Sequence, residues 1–424
     1  MFIFGNPPYL GCAWRNSEQK EDMALAFHGY DDYKSLDYIS CWFYKSYVYI
    51  KNTGAECALV STNSITQGGQ VAVLWNKILK GSVCIRFAYT SFKWSNNARH
   101  NAGVTCVIIG LTSNLNCAKY LYQSEKKVGA RNINGYLFDM GNITINKKSF
   151  PISQIPEIVK GSMPNDNGFL ILSEQEKLEL IEAYPKSADF IKPLLGSSEL
   201  INSTIRYCLW ICDDEVNEAC KIPDIKERVF KCKQSREKSN RLATRKVAEK
   251  PWAFGEIRYV DAPFVLIPEV SSERRIYVPI GYFPKGVVIN NKAFAIYNGG
   301  IYVFGLVSSL LHMIWMKTVC GKLETRYSYS SVLCYNTFPF PKISDSKKRE
   351  IEEAAEEVLL IREDYPGKTL AELYDPDKMP DDLREAHHRL DLIVESCYQD
   401  KPFANDEERL ECLFRLYEKM TKKL

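Results

Sequence analysis

Two adjacent prolines, Pro7 and Pro8, stand directly after the apolar run Phe2-Ile3-Phe4 and before Tyr9. Proline offers no amide hydrogen to a sheet and holds its φ near one value, so a strand over residues 2–4 has to stop at this corner. A short buried strand ending in a rigid turn is predicted, with Asn6 leading the turn. The next hundred residues alternate strand-like and helix-like patterns. Residues 37–51 place Ile39, Trp42, Phe43, Tyr47 and Ile50 at near-helical spacing, and residues 58–60 read as a second buried strand. Residues 69–79 carry the helical stripe Val71, Leu74, Trp75 and Ile78. Two further strands are predicted at 83–90 and 104–111, the second a continuous apolar run suited to a sheet interior. The pattern is α/β, the back half of a doubly wound, Rossmann-like sheet.

From about residue 116 the texture changes to short segments broken by Gly, Asn, Pro and Ser, and a domain boundary is placed there. After the FPFPK run at 338–342 the chain reads as helical, over 347–365, 381–398 and 406–423. A chain of 424 residues with 46% hydrophobic and 25% charged residues has material for two or three ordinary cores and is not a disordered or fibrous polypeptide. Its net charge of +3 gives no global attraction to nucleic acid, so any such affinity has to be local. A local source exists: residues 221–250 hold eleven Lys or Arg against four acids. A solvated basic helix is the competing reading. The fourteen cysteines are scattered and several sit in apolar runs, the pattern of reduced cytosolic thiols. The longest apolar stretch, FGLVSSLLHMIWM, is shorter than the ~18 residues a membrane span needs. A cytoplasmic protein with no membrane partner is expected. Cys208, Cys212, Cys220 and Cys232 do not have the spacing of paired zinc knuckles, and no metal is expected.

The chemistry is concentrated in Asn6-Pro7-Pro8-Tyr9. An exocyclic amine conjugated to a heteroaromatic ring is a poor nucleophile because its lone pair is delocalised. Two acceptors aimed at its hydrogens, the Asn6 side-chain carbonyl and the Pro7 backbone carbonyl, favour the localised, tetrahedral nitrogen, and the prolines hold both in one direction. Tyr9 offers a flat face on which a planar base can stack. A plain Pro-Pro loop after a strand is the alternative.

This tetrapeptide resembles motif IV of the amino-group methyltransferases that use S-adenosylmethionine, above all those that make N6-methyladenine in DNA. Beyond it, LDYISCWFYKSYVYI, ALVSTNSITQGGQVAVLW, SFKWSNNARHNAGVTCVIIG, INSTIRYCLWI, RRIYVPIGY and GKLETRYSYSSVLCYNTFPFP resemble consecutive blocks of the MmeI-like (type IIL) restriction-modification enzymes. Those are single chains with a nuclease, a helical linker, a methyltransferase, a target-recognition domain and a helical C-terminal domain. The resemblance implies three domains here. Residues 1–115 would be the C-terminal half of an N6-adenine DNA methyltransferase, 116–340 an α+β target-recognition domain, and 341–424 a helical domain. It also implies S-adenosylmethionine as cofactor, but the family's Gly-rich cofactor motif precedes motif IV, and only five residues precede Asn6. Gly68-Gly69 and Asn298-Gly299-Gly300 read as turns. The chain is therefore expected to lack its own cofactor motif and nuclease, either as a truncated product or because a separate polypeptide carries them.

The same resemblance makes Phe92 a candidate to pack on a flipped base opposite Tyr9, with a core role for Phe92 and Trp94 as the alternative. Ser61, Thr62 and Asn63 are expected at the ligand-binding end of the second strand, lining the pocket or capping the next helix. Within the implied recognition domain, Glu324 and Arg326 would project to one face of an extended segment. There a carboxylate can accept from cytosine N4 while a guanidinium donates to guanine O6 and N7, so the two could read both partners of one C·G pair of double-stranded DNA; a surface ion pair is the alternative. Arg274, Arg275, Lys231, Lys233, Arg236, Arg241 and Arg245 are expected on phosphates, which carry no sequence information. His387 and His388, tandem in a charged helix, are expected at the surface. Two other functions remain open: a DNA-recognition fragment without catalysis, and methylation of glutamine side chains, which also uses this tetrapeptide.

Overall fold

The computed structural model describes residues 1–94, 104–323 and 325–422. They form two compact units that do not follow chain order. The first gathers Met1–Ser153, Ile314–Phe340 and Phe403–Leu424, and the second Gln154–Met313 and Pro341–Pro402.

The first unit is built on a six-stranded sheet of order β1-β2-β4-β3-β5-β6. Its strands are β1 (Phe2–Gly5), β2 (Glu56–Thr62), β3 (Cys84–Trp94), β4 (Val104–Thr112), β5 (Lys119–Gln123) and β6 (Lys126–Ala130). β1 runs parallel to β2, and β4 is antiparallel to both β2 and β3. Helices α1 (Ser17–Ala26), α2 (Ser40–Ile50) and α3 (Gly68–Ile78) fill the connections. The period-2 alternation of β2 buries Cys57, Leu59 and Ser61 on the helix side, where the Cys57 thiol meets Ser46 of α2 at 3.2 Å. α3 buries the expected stripe Val71, Leu74, Trp75 and Ile78, and Trp75 meets Phe43 of α2 edge to face at 5.8 Å.

The opposite sheet face is aromatic. Register aligns Phe4, Ala58, Gly110, Phe87 and Tyr120 in one row and Val60, Ile108, Tyr89 and Tyr122 in the next. Tyr89 stacks on Tyr122 at 4.3 Å. Phe87 lies flat across Gly110, where a Cβ would stand 2.3 Å from the ring. The first strand departs from expectation here. Phe2 and Phe4 are 76% and 84% exposed rather than buried, because β1 is the sheet edge and both side chains point to this face. The β5–β6 hairpin carries the sheet past residue 116, where the sequence texture suggested it would end. The later segments of this unit add helix Asp406–Thr421, capped by Asn405 and with three acids in its first turn. Phe414 and Tyr417 of that helix pack on Trp315 at 5.3 and 5.9 Å, and the Tyr417 hydroxyl accepts from the Asn146 amide at 3.2 Å.

The second unit holds two four-stranded sheets. Strand Phe264–Pro268 is buried at every residue and lies between Gly281–Phe283 and Ala293–Tyr297 in one, while Ile191–Leu195 and Arg206–Leu209 form the centre of the other. Helices Asp345–Glu363 and Asp381–Glu395 pack together in it, with Arg389 bridging to Glu357. His387 is buried, not at the surface as expected. Its Nε2 shares a 2.7 Å hydrogen bond with the Tyr374 hydroxyl, its ring stacks on Tyr277 at 4.2 Å, and burial, then Arg362, hold it well below the usual imidazole range and hence neutral. Among the described residues no single helix is long and apolar enough to cross a membrane.

Candidate active site and DNA-facing residues

β1 ends at Gly5, and Asn6-Pro7-Pro8-Tyr9 turns the chain over the end of the sheet. Pro7 is buried while Asn6 is exposed, so the ring anchors the turn and the amide faces outward. The Tyr9 hydroxyl donates to Asn6 Oδ1 and lies against the Cys106 thiol of β4. Burial, with Cys106 adding to it, pushes the Tyr9 hydroxyl up to about 12, so it stays a neutral donor throughout the physiological range.

Cys106 ties the site together. In the sheet it stands between Thr62 of β2 and Phe92 of β3, and β3 has an irregular register between Tyr89 and Phe92. Such a bulge re-aims side chains near functional sites. Asn6, Tyr9, Cys106, Phe92 and Thr62 therefore share one end of the sheet. Ser61 and Asn63 flank Thr62, and the Ser61 Oγ and Asn63 Nδ2 atoms are buried without hydrogen-bond partners. Thr62 holds the N-cap position of the short helical turn Asn63–Thr66 that follows β2, where its hydroxyl meets Ser64 Oγ at 2.7 Å in place of a cap bond to the backbone, and Gln67 holds the N-cap position of α3.

The turn is braced by a residue that sequence reasoning passed over. Asp37 Oδ1 accepts from the Cys12 amide at 3.2 Å and Oδ2 accepts from Ser64 Oγ at 2.6 Å, while the Asp37 amide donates to Gln70 at 3.0 Å. The Tyr38 amide donates to the Leu10 carbonyl at 2.9 Å. The segment after Tyr9 is thus fastened to the loop between β2 and α3. Neither Asp37 nor Cys106 carries a signal in the sequence beyond a helix-start acid and an apolar strand.

The other candidates divide. Gly321–Leu323 and Arg326–Ser328 form a hairpin in the first unit, with Leu323 opposite Arg326, so exposed Arg326 stands at its tip. Glu324 lies outside the described residues. Lys231 and Lys233 are exposed on helix Pro223–Glu237, as are Arg245 on helix Leu242–Lys246 and Arg241 at its N-cap. Lys231 pairs with Glu227 at 2.6 Å, and Arg274 pairs with Asp377. Arg275 is half-buried.

Arg236 corrects the phosphate assignment. It is 1% exposed, and its guanidinium donates to the carbonyls of Asn165, Val247, Lys250, Pro164 and Ala253 at 2.7–3.0 Å. Every direction of the fork is used inside the protein, so none reaches DNA.

The six-stranded sheet, with the Asn-Pro-Pro-Tyr turn after its edge strand, lies in the part of the chain that matches a methyltransferase domain of the restriction-modification class. The chain belongs to the MmeI family. The model of the MmeI DNA-methyltransferase domain matches residues 1–123, that of the target recognition domain 139–342, and that of the C-terminal domain 343–424. DNA methyltransferase A of Bacillus subtilis (strain 168) is 45% identical over 426 residues, spanning all of this chain and 48% of the relative. The type IIL restriction-modification enzyme MmeI, solved in complex with DNA, superposes with a TM-score of 0.91 at 38% identity, covering 99% of this chain and 57% of that one. The chain spans about half the length of the relatives it matches.

Proposed function

We propose that this chain is the base-binding and target-selecting part of a cytoplasmic DNA adenine N6-methyltransferase within a restriction-modification system. The observation that carries the reading is the Asn6–Tyr9 turn at the end of β1 beside Cys106 and Phe92. An extruded adenine would stack on Tyr9, with Phe92 opposite. Its amino group would donate to Asn6 Oδ1 and to the Pro7 carbonyl, which withdraws the nitrogen lone pair from the ring and frees it for attack. The Tyr9 hydroxyl holds the Asn6 acceptor when no base is bound, so the incoming amine displaces it. Arg326, with Glu324, would read a base pair, and Lys231, Lys233, Arg241, Arg245, Arg274 and Arg275 would hold phosphates.

S-adenosylmethionine supplies the methyl group when bound. Gly68, Gly69 and Gly299 do not leave room for it: a Cβ on Gly68 would face Gly321, one on Gly69 would meet Lys147, and one on Gly299 would meet Val303 and Ile296. On this reading the cofactor grip, like the nuclease, would belong to a further segment or polypeptide. The open β1 edge and the aromatic sheet face with exposed Phe2 and Phe4 are where the cofactor-binding half would seat.

The test is to map methylated adenines by sequencing DNA from cells carrying the complete system. Asn6→Ala should cost ~2–4 kcal/mol in methyl transfer, the range for loss of one preorganised group, with DNA affinity largely kept. Methylation by that variant at the parent rate would leave the chain a recognition module without catalysis.

A further inference from the structure

Two thiols meet at the start of β3, at the opposite end of that strand from Phe92. The Cys84 Sγ atom donates to the Asn114 carbonyl at 3.6 Å and the Cys117 amide donates to the same oxygen at 3.3 Å, so the Cys84 sulfur stands beside the backbone of Cys117. The strands give the same placement. β3 and β5 run parallel with Phe87 beside Tyr120, Ala88 beside Leu121 and Tyr89 beside Tyr122, and this offset carried back along both strands sets Cys84 level with Cys117. Paired strands lie ~4.8 Å apart, within the ~4.4–6.8 Å between Cα atoms that a disulfide spans. The two residues differ in access. Cys84 is buried, whereas Cys117 is half-buried in a run where Asn114, Leu115, Asn116 and Ala118 are exposed, so a reagent in solution reaches Cys117 first. Burial, then the neighbouring Cys117, pushes the Cys84 thiol up to about 11, and it remains a thiol at neutral pH. Cys320 and Cys334 also meet in this unit, but both are buried and no reagent reaches them in the folded chain.

We propose that Cys84 and Cys117 form a reversible disulfide, closed by exchange with a small disulfide, that fastens the β5–β6 hairpin to β3. The Cys117 sulfur attacks one sulfur of oxidised glutathione, which forms a mixed disulfide and releases one glutathione carrying the Cys117 proton. The Cys84 sulfur then attacks Cys117 Sγ, the bond to glutathione breaks, and the departing thiolate takes the Cys84 proton. Two protein thiols are oxidised and one glutathione disulfide is reduced to two thiols. The hairpin ends the sheet and joins β3 through the parallel pairs at Phe87, Ala88 and Tyr89, so a covalent tie at the entrance to β5 takes away its freedom to detach. In a reducing compartment such a bond is a transient, sensing one rather than a permanent staple.

The test needs only this chain. It is equilibrated in buffers of rising oxidised-to-reduced glutathione ratio, alkylated and mapped by peptide mass, beside Cys84→Ser, Cys117→Ser and Cys212→Ser, the last an exposed cysteine elsewhere. The parent should give a peptide pair joined through Cys84 and Cys117 and lighter by two hydrogens, reversed by excess reduced glutathione. Cys84→Ser should stop at the mixed disulfide on Cys117, Cys117→Ser should leave Cys84 a thiol, and Cys212→Ser should form the parent's cross-link. Amide exchange across Lys119–Gln123 should slow by about tenfold or more in the oxidised parent, while Ile191–Leu195 in the other unit keeps its rate. A parent in which Cys117 stays a thiol, stays joined to glutathione or joins any cysteine other than Cys84 would overturn the pairing. A Cys84–Cys117 bond that leaves exchange across Lys119–Gln123 unchanged would overturn the fastening of the hairpin.

Discussion

Tyr9 has two parts with different duties, and substitutions separate them. On the proposed reading its ring is the stacking surface, while its hydroxyl, which donates to Asn6 Oδ1, occupies the acceptor that an adenine amine would need. In the complete enzyme Tyr9→Phe should keep methyl transfer near the parent rate, because only the competitor for Asn6 is lost. Tyr9→Ala should cost about 1–3 kcal/mol, the worth of one stacked base. The hydroxyl's raised value also fixes the pH behaviour. It ionises only as pH rises through about 12, so a rate profile between pH 6 and 10 should show no limb that Tyr9→Phe removes. Arg236 sets the opposite case, a basic residue with no DNA duty. Arg236→Ala should lower stability by about 3 kcal/mol or more, since each buried carbonyl left unsatisfied costs ~1–3 kcal/mol. Arg236→Lys should not rescue it, because a point charge cannot replace a five-donor fork. Thermal denaturation checks both, and the salt slope of DNA binding should stay with the parent in any variant that folds. Asn6 to Tyr9 were legible in the sequence because their chemistry is consecutive. Asp37 and Cys106 were not, since they reach the turn only through space. Arg236 could have been read: it continues the buried stripe Ile225, Val229, Cys232 at spacings of four, three and four.

β1 is the element whose expected environment and observed one differ most. Its existence and its stop at the prolines follow from the sequence, as do β2, α2, α3, β3 and β4, because strong apolar periodicity survives any tertiary context. Its burial does not follow, because an apolar strand reads the same whether its face is covered by the same compact unit or by another body. That ambiguity gives a prediction. The chain alone should bind S-adenosylmethionine weakly or not at all in a calorimetric titration, and adding the cofactor-binding half should restore binding. Phe4→Asp should block restoration by placing a charge on the seat, while the unfolding free energy of the isolated chain stays within ~0.5 kcal/mol of the parent, as for other exposed positions. Micromolar binding by the unaided chain would place the cofactor grip in residues of this chain.

At the scale of the molecule the compact units cut across the chain. Helix patterns at 347–365, 381–398 and 406–423 were visible, but nothing local says that Phe403–Leu424 returns to the sheet-bearing unit while the helices before it stay in the other. That information lies in long-range contacts such as Trp315 with Phe414 and Asn146 with Tyr417. Deleting residues 403–424 should therefore expose Trp315 and loosen Met1–Ser153, while strand Phe264–Pro268 and its neighbours keep their protection. Hydrogen exchange resolved by segment measures this, and equal loosening of both units would contradict the division. The same arrangement has a consequence for synthesis. At about 5–20 residues per second, the ribosome needs on the order of ten to fifty seconds after Ser153 before Phe403 is made. For that interval the sheet-bearing unit waits with an unfinished core, Tyr136 lacking the Phe414 ring that packs on it in the finished fold, and a cell that expresses this protein has to shelter it through the wait.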